Sequence, residues 1–352
     1  MSNRLFKIAV LPGDGIGEDI TAEAIRVLDV LKPEMKGVQF ELDYHSVGAS
    51  EFLKNGDPFP STAFEAAKNS DAVLLGAMGL PKVRWPDGRE MAPQLDLREQ
   101  LDLYAGIRPI YLYHENDTPL KNQSEGSIDI LIVRESTEGL FSTRLNEREP
   151  GADEVKDTML VTRKGSERII RVAFEEAMKR RKKVSLIEKS NVLPSMVFFN
   201  EIFFEIAKEY PEVEADAVYV DAASLFLVQD PSRFDVLVTE NMFGDILSDL
   251  AAGIVGGMGM APSADIGDHG AVFQPAHGSA PDIAGKNIAN PVATILSLAL
   301  LLEWLGLVET KAAGLRIRNA VRAVFQNPDN RTPDMKGKLS TSQITDLIIE
   351  NL

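Results

Sequence analysis

Asp235-Val236-Leu237-Val238-Thr239 runs directly into Glu240-Asn241-Met242-Phe243-Gly244-Asp245-Ile246-Leu247-Ser248-Asp249-Leu250. Asp235 to Thr239 reads as a buried strand, and from Gly244 to Ala252 the apolar positions recur at helical spacing, so the stretch is a strand turning into a helix. The same alternation repeats outward in both directions. Lys7–Leu11 precedes a helical window at Asp19–Leu31, Ala72–Gly76 and Ile128–Arg134 are strand-like, and the helical Ser166–Arg180 precedes a strand at Lys183–Ile187. Parallel neighbours need a crossover, usually a helix, so this order predicts an α/β fold with mostly parallel sheets. Helical periodicity returns at Lys311–Phe325 and Thr341–Leu352. The apolar run Pro291–Val308 contains Glu303 and is shorter than a bilayer span, which predicts a buried helix.

Composition narrows the function. A chain of 352 residues is long enough for two domains and a substantial core. Its formal net charge of −16 repels polyphosphate backbones, so no nucleic-acid partner is expected; the basic run Lys179–Lys183 reads as the cap of a helix C-terminus. The absence of cysteine removes disulfides, zinc-thiolate sites and thiol nucleophiles together, leaving oxygen-ligand metals. The first residues lack a leader pattern and no apolar run is long enough to span a bilayer, so a cytoplasmic address and no membrane partner are expected.

Several motifs carry chemistry. Pro12-Gly13-Asp14-Gly15-Ile16-Gly17 closes a strand and opens a helix, as a dinucleotide fingerprint does, but its third glycine comes one residue early; a tight turn fits equally well. Asp245 and Asp249 are four residues apart and share one face near the start of a helix. Stacked carboxylates repel unless a cation lies between them, and oxygen-only donors select Mg²⁺ or Mn²⁺. The alternative is a solvated pair eased by the positive helix end. Arg98, Arg108 and Arg134 offer guanidinium forks for substrate carboxylates, against the alternative of surface ion pairs. Lys189 follows the strand Lys183–Ile187, where a lysine can serve as a base or stand in solvent. The glycine- and proline-rich segment Gln274–Pro291 is a candidate ligand loop.

Taken in order, Leu11–Gly17, Leu97-Arg98 through Ile107-Arg108-Pro109, Val133–Gly139, Lys189-Ser190-Asn191-Val192, Tyr219-Val220-Asp221, Asn241–Asp249 and His277–Lys286 resemble the metal-dependent β-hydroxyacid oxidative decarboxylases. That family comprises isopropylmalate, isocitrate, homoisocitrate and tartrate/D-malate dehydrogenases, and the likeness runs nearly end to end. It implies an isopropylmalate dehydrogenase-like fold with two domains. The first would be built from both chain ends, 1–103 and 256–352, and the second, 104–255, would carry the metal site and a dimer-forming arm. It also implies a homodimer with shared active sites in the cleft between the domains. Asp245 and Asp249 would bind the metal together with Asp221 of the other subunit. Arg98, Arg108 and Arg134 would clamp the substrate, and Lys189, also from the other subunit, would transfer the proton. His277, Gly278, Ser279, Ala280, Asp282, Ile283 and Asn290 would bind the adenosine of NAD, with Asp282 accepting from ribose hydroxyls and repelling a 2′-phosphate.

Three positions depart from the family pattern. Phe141 stands where a tyrosine helps protonate the enolate, so water, Lys189 or another group would substitute, decarboxylation would be slow, or the reaction would stop at the ketone. Gln274 replaces a common glutamate near the nicotinamide loop, and Gln94 replaces one of two leucines that face an isopropyl group, leaving Leu95. With Ala92 and Gln94 in place of the serine and asparagine of isocitrate enzymes, isocitrate is disfavoured. The substrate reads as 3-isopropylmalate if Leu95 suffices, or as a more polar malate- or tartrate-like diacid if Gln94 dictates. A catalytically silent regulatory or ligand-binding paralogue is the alternative from another class, opposed by the retained Asp221, Asp245, Asp249 and Lys189.

Overall fold

The computed structural model describes residues 4–146 and 151–352. Chain order begins β1 (Arg4–Gly13), α1 (Gly17–Leu31), β2 (Val38–Tyr44), α2 (Ala49–Asn55), α3 (Ser61–Asn69), β3 (Ala72–Ala77) and α4 (Pro93–Gln100). The middle holds β4 (Ala105–Tyr111), β5 (Asp129–Glu135), α5 (Arg163–Met178), β6 (Lys183–Glu188), α6 (Pro194–Ala207), β7 (Glu214–Tyr219), α7 (Val220–Gln229), β8 (Val236–Thr239) and α8 (Asn241–Gly253). The chain ends with β9 (Pro262–Ile266), β10 (Ala271–Pro275), α9 (Val292–Trp304), α10 (Val308–Phe325) and α11 (Thr341–Glu350).

These elements fall into two compact units, Met1–Leu101 with Gly256–Leu352, and Asp102–Val255. In the first the strand order is β2-β1-β3-β10-β9, parallel except for the β10–β9 hairpin. β3 is buried along its whole length, as expected of a strand covered on both faces. α9 is apolar nearly all round and packs against β9, β10, α10 and α1, which explains why its sequence resembles a membrane span without reaching the length of one. No helix among the described residues is long and apolar enough to cross a membrane.

In the second unit the order is β4-β5-β8-β6-β7, parallel except for β4–β5. Its core gathers Ile130 and Ile132 of β5, Leu237 of β8, Leu227 of α7 and Leu247 and Ala251 of α8. The basic run has a different use from the expected one. Lys179 does sit at the C-cap of α5, but Arg180 pairs with Asp129 and the fully buried Asp235, and Lys182 and Lys183 pair with Glu212 and Glu214. The run therefore ties α5 to the edges of β5, β8 and β7 rather than only closing the helix. Of the expected dimer arm, residues 147–150 lie outside the described residues; the flanking segment forms one bridge, Gly139 with Leu160.

Candidate active site

In the second unit, antiparallel pairing sets Gly106 opposite Arg134 and Arg108 opposite Ile132, so Arg108 and Arg134 project from the same face of the β4–β5 pair. Both are buried, at 4% and 2% exposure, so neither is the surface ion pair that isolated arginines usually make. Arg134 Nε donates to Asn241 Oδ1 at 3.0 Å, and Arg134 Nη1 makes a short contact with Asp245. Gly244 permits this arrangement: a Cβ there would meet Arg134 Cγ at 2.7 Å. The guanidinium also lies 5.5 Å from the ring centroid of Phe141.

α8 is capped by Glu240, whose carboxylate accepts the Met242 and Phe243 amides at 3.1 and 2.6 Å. Asp245 and Asp249 therefore lie beyond the first turn and do not serve the helix end, and both keep solvent access, the Asp245 side chain being 51% exposed. Burial pushes the Asp249 carboxyl above the usual carboxylate range and the charge of Asp245 pushes it further, while Arg134 and Arg108 oppose both. A divalent cation would relieve that repulsion, so this oxygen-only donor set fits Mg²⁺ or Mn²⁺. No group of three or more acidic or histidine side chains suited to a metal occurs within the chain among the described residues. Asp221, the third expected ligand, instead opens α7 with its side chain 68% exposed and takes Lys189 Nζ at 2.6 Å. The Lys189 hydrogen bond holds the Asp221 carboxyl below its usual range.

The first unit holds the remaining residues. Arg98, near the end of α4, is 8% exposed, and its Nε lies 3.0 Å from Oδ2 of the fully buried Asp265 on β9. Gln274 is committed to the same oxygen, donating from Nε2 at 2.7 Å, so this residue serves the Arg98 anchor. Gln94 sits one turn before Arg98, and its buried Oε1 has no hydrogen-bond partner. Leu95 is half-buried beside it.

A cavity of about 470 Å³ opens against the segment between β10 and α9, lined by His277, Gly278, Ala280, Ile283 and Asn290. Ile16, Gly259, Ile288, Ala289, Pro333 and Asp334 complete it. Ile288 and Ala289 fall in the candidate ligand loop Gln274–Pro291 and Ile16 in the glycine-rich turn, whereas Gly259, Pro333 and Asp334 were not expected as ligand contacts. Two expected residues are absent from the lining: Ser279 Oγ donates to the Gly79 carbonyl, and Asp282 is exposed. His277 is held neutral by burial. Its Nδ1 donates to the Gly278 carbonyl at 2.9 Å, which leaves Nε2 as a buried acceptor without a partner. An orphaned acceptor beside an apolar wall of Ile16, Ile283 and Ala289 fits an aromatic amine such as adenine.

The glycine-rich turn at Pro12–Gly17 is not a pyrophosphate cradle. Its Asp14, Ile16 and Gly17 amides donate to Ala77, Ser279 and Asp14 carbonyls at 2.7, 2.8 and 2.9 Å. Gly15, at φ +58°, lies so close to the Ser279 carbonyl that a Cβ would fall 2.1 Å from it. The turn is a packing surface for the His277–Ser279 loop.

Comparison with known proteins gives this geometry a lineage. The family model described as isocitrate/isopropylmalate dehydrogenase matches residues 7–348. The chain belongs to that family.

Family members include the 3-isopropylmalate dehydrogenases of Aquifex aeolicus and Thermotoga maritima, each 44% identical over 99% of this chain and covering 97% and 99% of their own lengths. Among solved structures, the isocitrate dehydrogenase of Methylococcus capsulatus is 40% identical with a TM-score of 0.86, covering 98% of this chain and 99% of its own. A β-decarboxylating dehydrogenase from Thermococcus kodakarensis is also 40% identical, with a TM-score of 0.81 over 98% of this chain and 96% of its own. The protein is an oxidoreductase of the isopropylmalate/isocitrate dehydrogenase type, a decarboxylating β-hydroxyacid dehydrogenase. The Phe141 ring lies beside the Arg134 guanidinium, where it can shield the arginine but cannot donate a proton.

Proposed function

We propose that this enzyme oxidises and decarboxylates 3-isopropylmalate, using NAD and Mg²⁺ or Mn²⁺. The observation that carries the proposal is the stacking of Asp245 and Asp249 beside the buried Arg108 and Arg134, which supplies both a cation's ligands and a carboxylate's counter-charges. Leu95, next to the Arg98 turn, supports an apolar substituent on the substrate, as do the names of the relatives most like this chain.

Asp245 and Asp249 would hold the cation, with Asp221 of a second copy as third ligand; when bound, the cation lowers the pKa of the 2-hydroxyl and stabilises negative charge on its oxygen. His277, Asn290 and the Ile16–Ile283 wall would hold the adenosine of NAD, which accepts the hydride. The chain's own residues do the rest. Arg108 and Arg134 bind and orient substrate carboxylates through guanidinium forks fixed by burial, and Arg98 does the same from its Asp265–Gln274 anchor. Lys189 of the second copy, kept close to that copy's Asp221, would take the proton of the 2-hydroxyl and later return one to carbon in place of the tyrosine that Phe141 replaces.

A homodimer follows from the same reading. Leu225 and Val228 on α7 and Ile246 on α8 are 51%, 46% and 58% exposed, an apolar face on the helices that carry Asp221 and Asp245. Leu145, Val155 and Leu160 add exposed apolar side chains along the segment expected to form the arm. Such faces are covered in stable assemblies.

The test is a panel of 2-hydroxy diacids with Mn²⁺ and NAD, measuring NADH and CO₂ in parallel. We expect the highest kcat/KM with 3-isopropylmalate and one CO₂ per NADH. One observation favours a second reading, the unpartnered Gln94 Oε1, which would suit a hydroxyl donor on the substrate. Higher kcat/KM with tartrate or malate would establish it instead. No NADH from any member would leave only the silent paralogue.

The cofactor half carries its own prediction. Asp282→Lys with Ile283→Tyr removes a carboxylate acceptor and part of the apolar wall, so KM for NAD should rise about tenfold or more, the scale of one lost charged hydrogen bond. Unchanged NAD kinetics would remove Asp282 from the ribose site.

A further inference from the structure

Asp14 is almost fully buried, and its carboxylate accepts three backbone amides: Ala49 and Gly79 at 2.8 Å on Oδ2, and Ser50 at 2.7 Å on Oδ1. The first and third amides belong to the opening turn of α2, whose N-cap Gly48 has no side chain to offer. Gly48 adopts φ +101°, and a Cβ there would fall 2.4 Å from the carboxylate, so the glycine is what lets Asp14 reach the helix. Gly79 is gripped from both sides, its N–H by Asp14 and its carbonyl by Ser279 Oγ. The Ser279 carbonyl in turn accepts the Ile16 amide at 2.8 Å, and Ile16 is two residues from Asp14. Asp14, Gly79, Ser279 and Ile16 thus close a hydrogen-bonded ring, and Ser279 lies between Gly278 and Ala280, both of which line the adenosine-sized cavity.

We infer that Asp14 is a positioning residue for the nucleotide: through Gly79 it fixes Ser279, and with it the His277–Ala280 wall of the cavity. The inference rests on the NAD reading above. It explains why an aspartate occupies a turn whose own amides are spent internally. The carboxylate has no part in the chemistry and sets the conformation of a loop that is distant in sequence. Both oxygens of this buried carboxylate accept backbone N–H groups, so an amide in its place must turn an N–H toward another N–H.

The experiment is fluorescence titration with NADH of the unmodified protein, Asp14→Asn, Ser279→Ala and the double variant, alongside steady-state kinetics. Asp14→Asn should weaken NADH binding at least about tenfold, the effect of a broken charged hydrogen bond. KM for the hydroxy diacid and kcat at saturating NAD should stay within about threefold, a split that general loosening of the fold would not produce. Because both side chains hold Gly79, the double variant should be weaker than the unmodified protein by less than the product of the single effects. Binding of NADH by Asp14→Asn within twofold of the unmodified protein, or strictly multiplicative effects, overturns the inference while leaving the NAD reading intact. Failure of the unmodified protein to bind NADH sinks both. If Asp14→Asn does not fold, hydrogen exchange on the unmodified protein decides: saturating NADH should slow the peptides covering Ala49–Ser50 and Gly79, none of which lines the cavity, and unchanged exchange there overturns the proposal.

Discussion

Asp249→Asn is expected to lower kcat by about 10³-fold or more with every active diacid, while the protein keeps its melting temperature or gains slightly. The rate loss follows from removing one of two charges that would hold the cation, whose stabilisation of a developing alkoxide amounts to several kcal/mol, and about 1.4 kcal/mol corresponds to each decade. The stability prediction follows from the chain without metal. The Asp249 carboxyl is raised above its usual range by burial and by Asp245, so its ionised form opposes folding at neutral pH. The sign follows from linkage: a raised folded-state value means the native state binds the extra proton more tightly, so this term weakens stability as pH climbs above the unfolded value. Asparagine abolishes it. Steady-state kinetics with a Mn²⁺ titration and thermal melts in chelator check the two halves separately; retention of more than a tenth of kcat at saturating Mn²⁺ would exclude Asp249 as a ligand.

Lys189→Met is expected to cost about 10²- to 10⁴-fold in kcat, the range for losing a positioned acid–base group, with KM for NAD unchanged. Methionine preserves much of the aliphatic stem but removes the ammonium that pairs with Asp221 and lies 5.7 Å from the Tyr219 ring centroid. Lys189 pairs with Asp221, while Asp245 and Asp249 lie on α8, so on the proposed reading each chain would present two half-sites. If two copies share their sites, mixing inactive Lys189→Met with inactive Asp249→Asn yields heterodimers with one intact site. Random exchange of subunits would then restore about a quarter of the unmodified activity. No recovery after subunit exchange, shown by mass spectrometry to have occurred, would mean that the residues work within one chain.

These outcomes bear on how much was legible beforehand. The strand-to-helix passage at Asp235–Asp249, the windows of α1, α5, α10 and α11 and the buried α9 could all be read from periodicity, because one-sided or complete burial leaves a direct trace in residue order. β4, β9 and β10 could not. Each of them meets a neighbour antiparallel, so no crossover helix marks that pairing in the sequence. The basic run at Lys179–Lys183 was misweighed for a related reason. Its acidic partners, Asp129, Asp235, Glu212 and Glu214, are scattered along the chain and gather only when β5, β6, β7 and β8 align.

By itself the sequence determined the family, the alternation of layers and the residue types able to hold a cation, a carboxylate and a nucleotide, since those depend on side-chain chemistry and local spacing. Tertiary structure alone decided how they are used: that the three arginines are buried, that Gln274 and Asp265 serve Arg98, that Ser279 is spent on Gly79, and that the Pro12–Gly17 turn is scaffold rather than phosphate cradle. Each of these depends on which distant backbone group comes within about 3 Å of a given atom, the range of a hydrogen bond. Spacing along a chain cannot encode a distance between segments that only folding brings together.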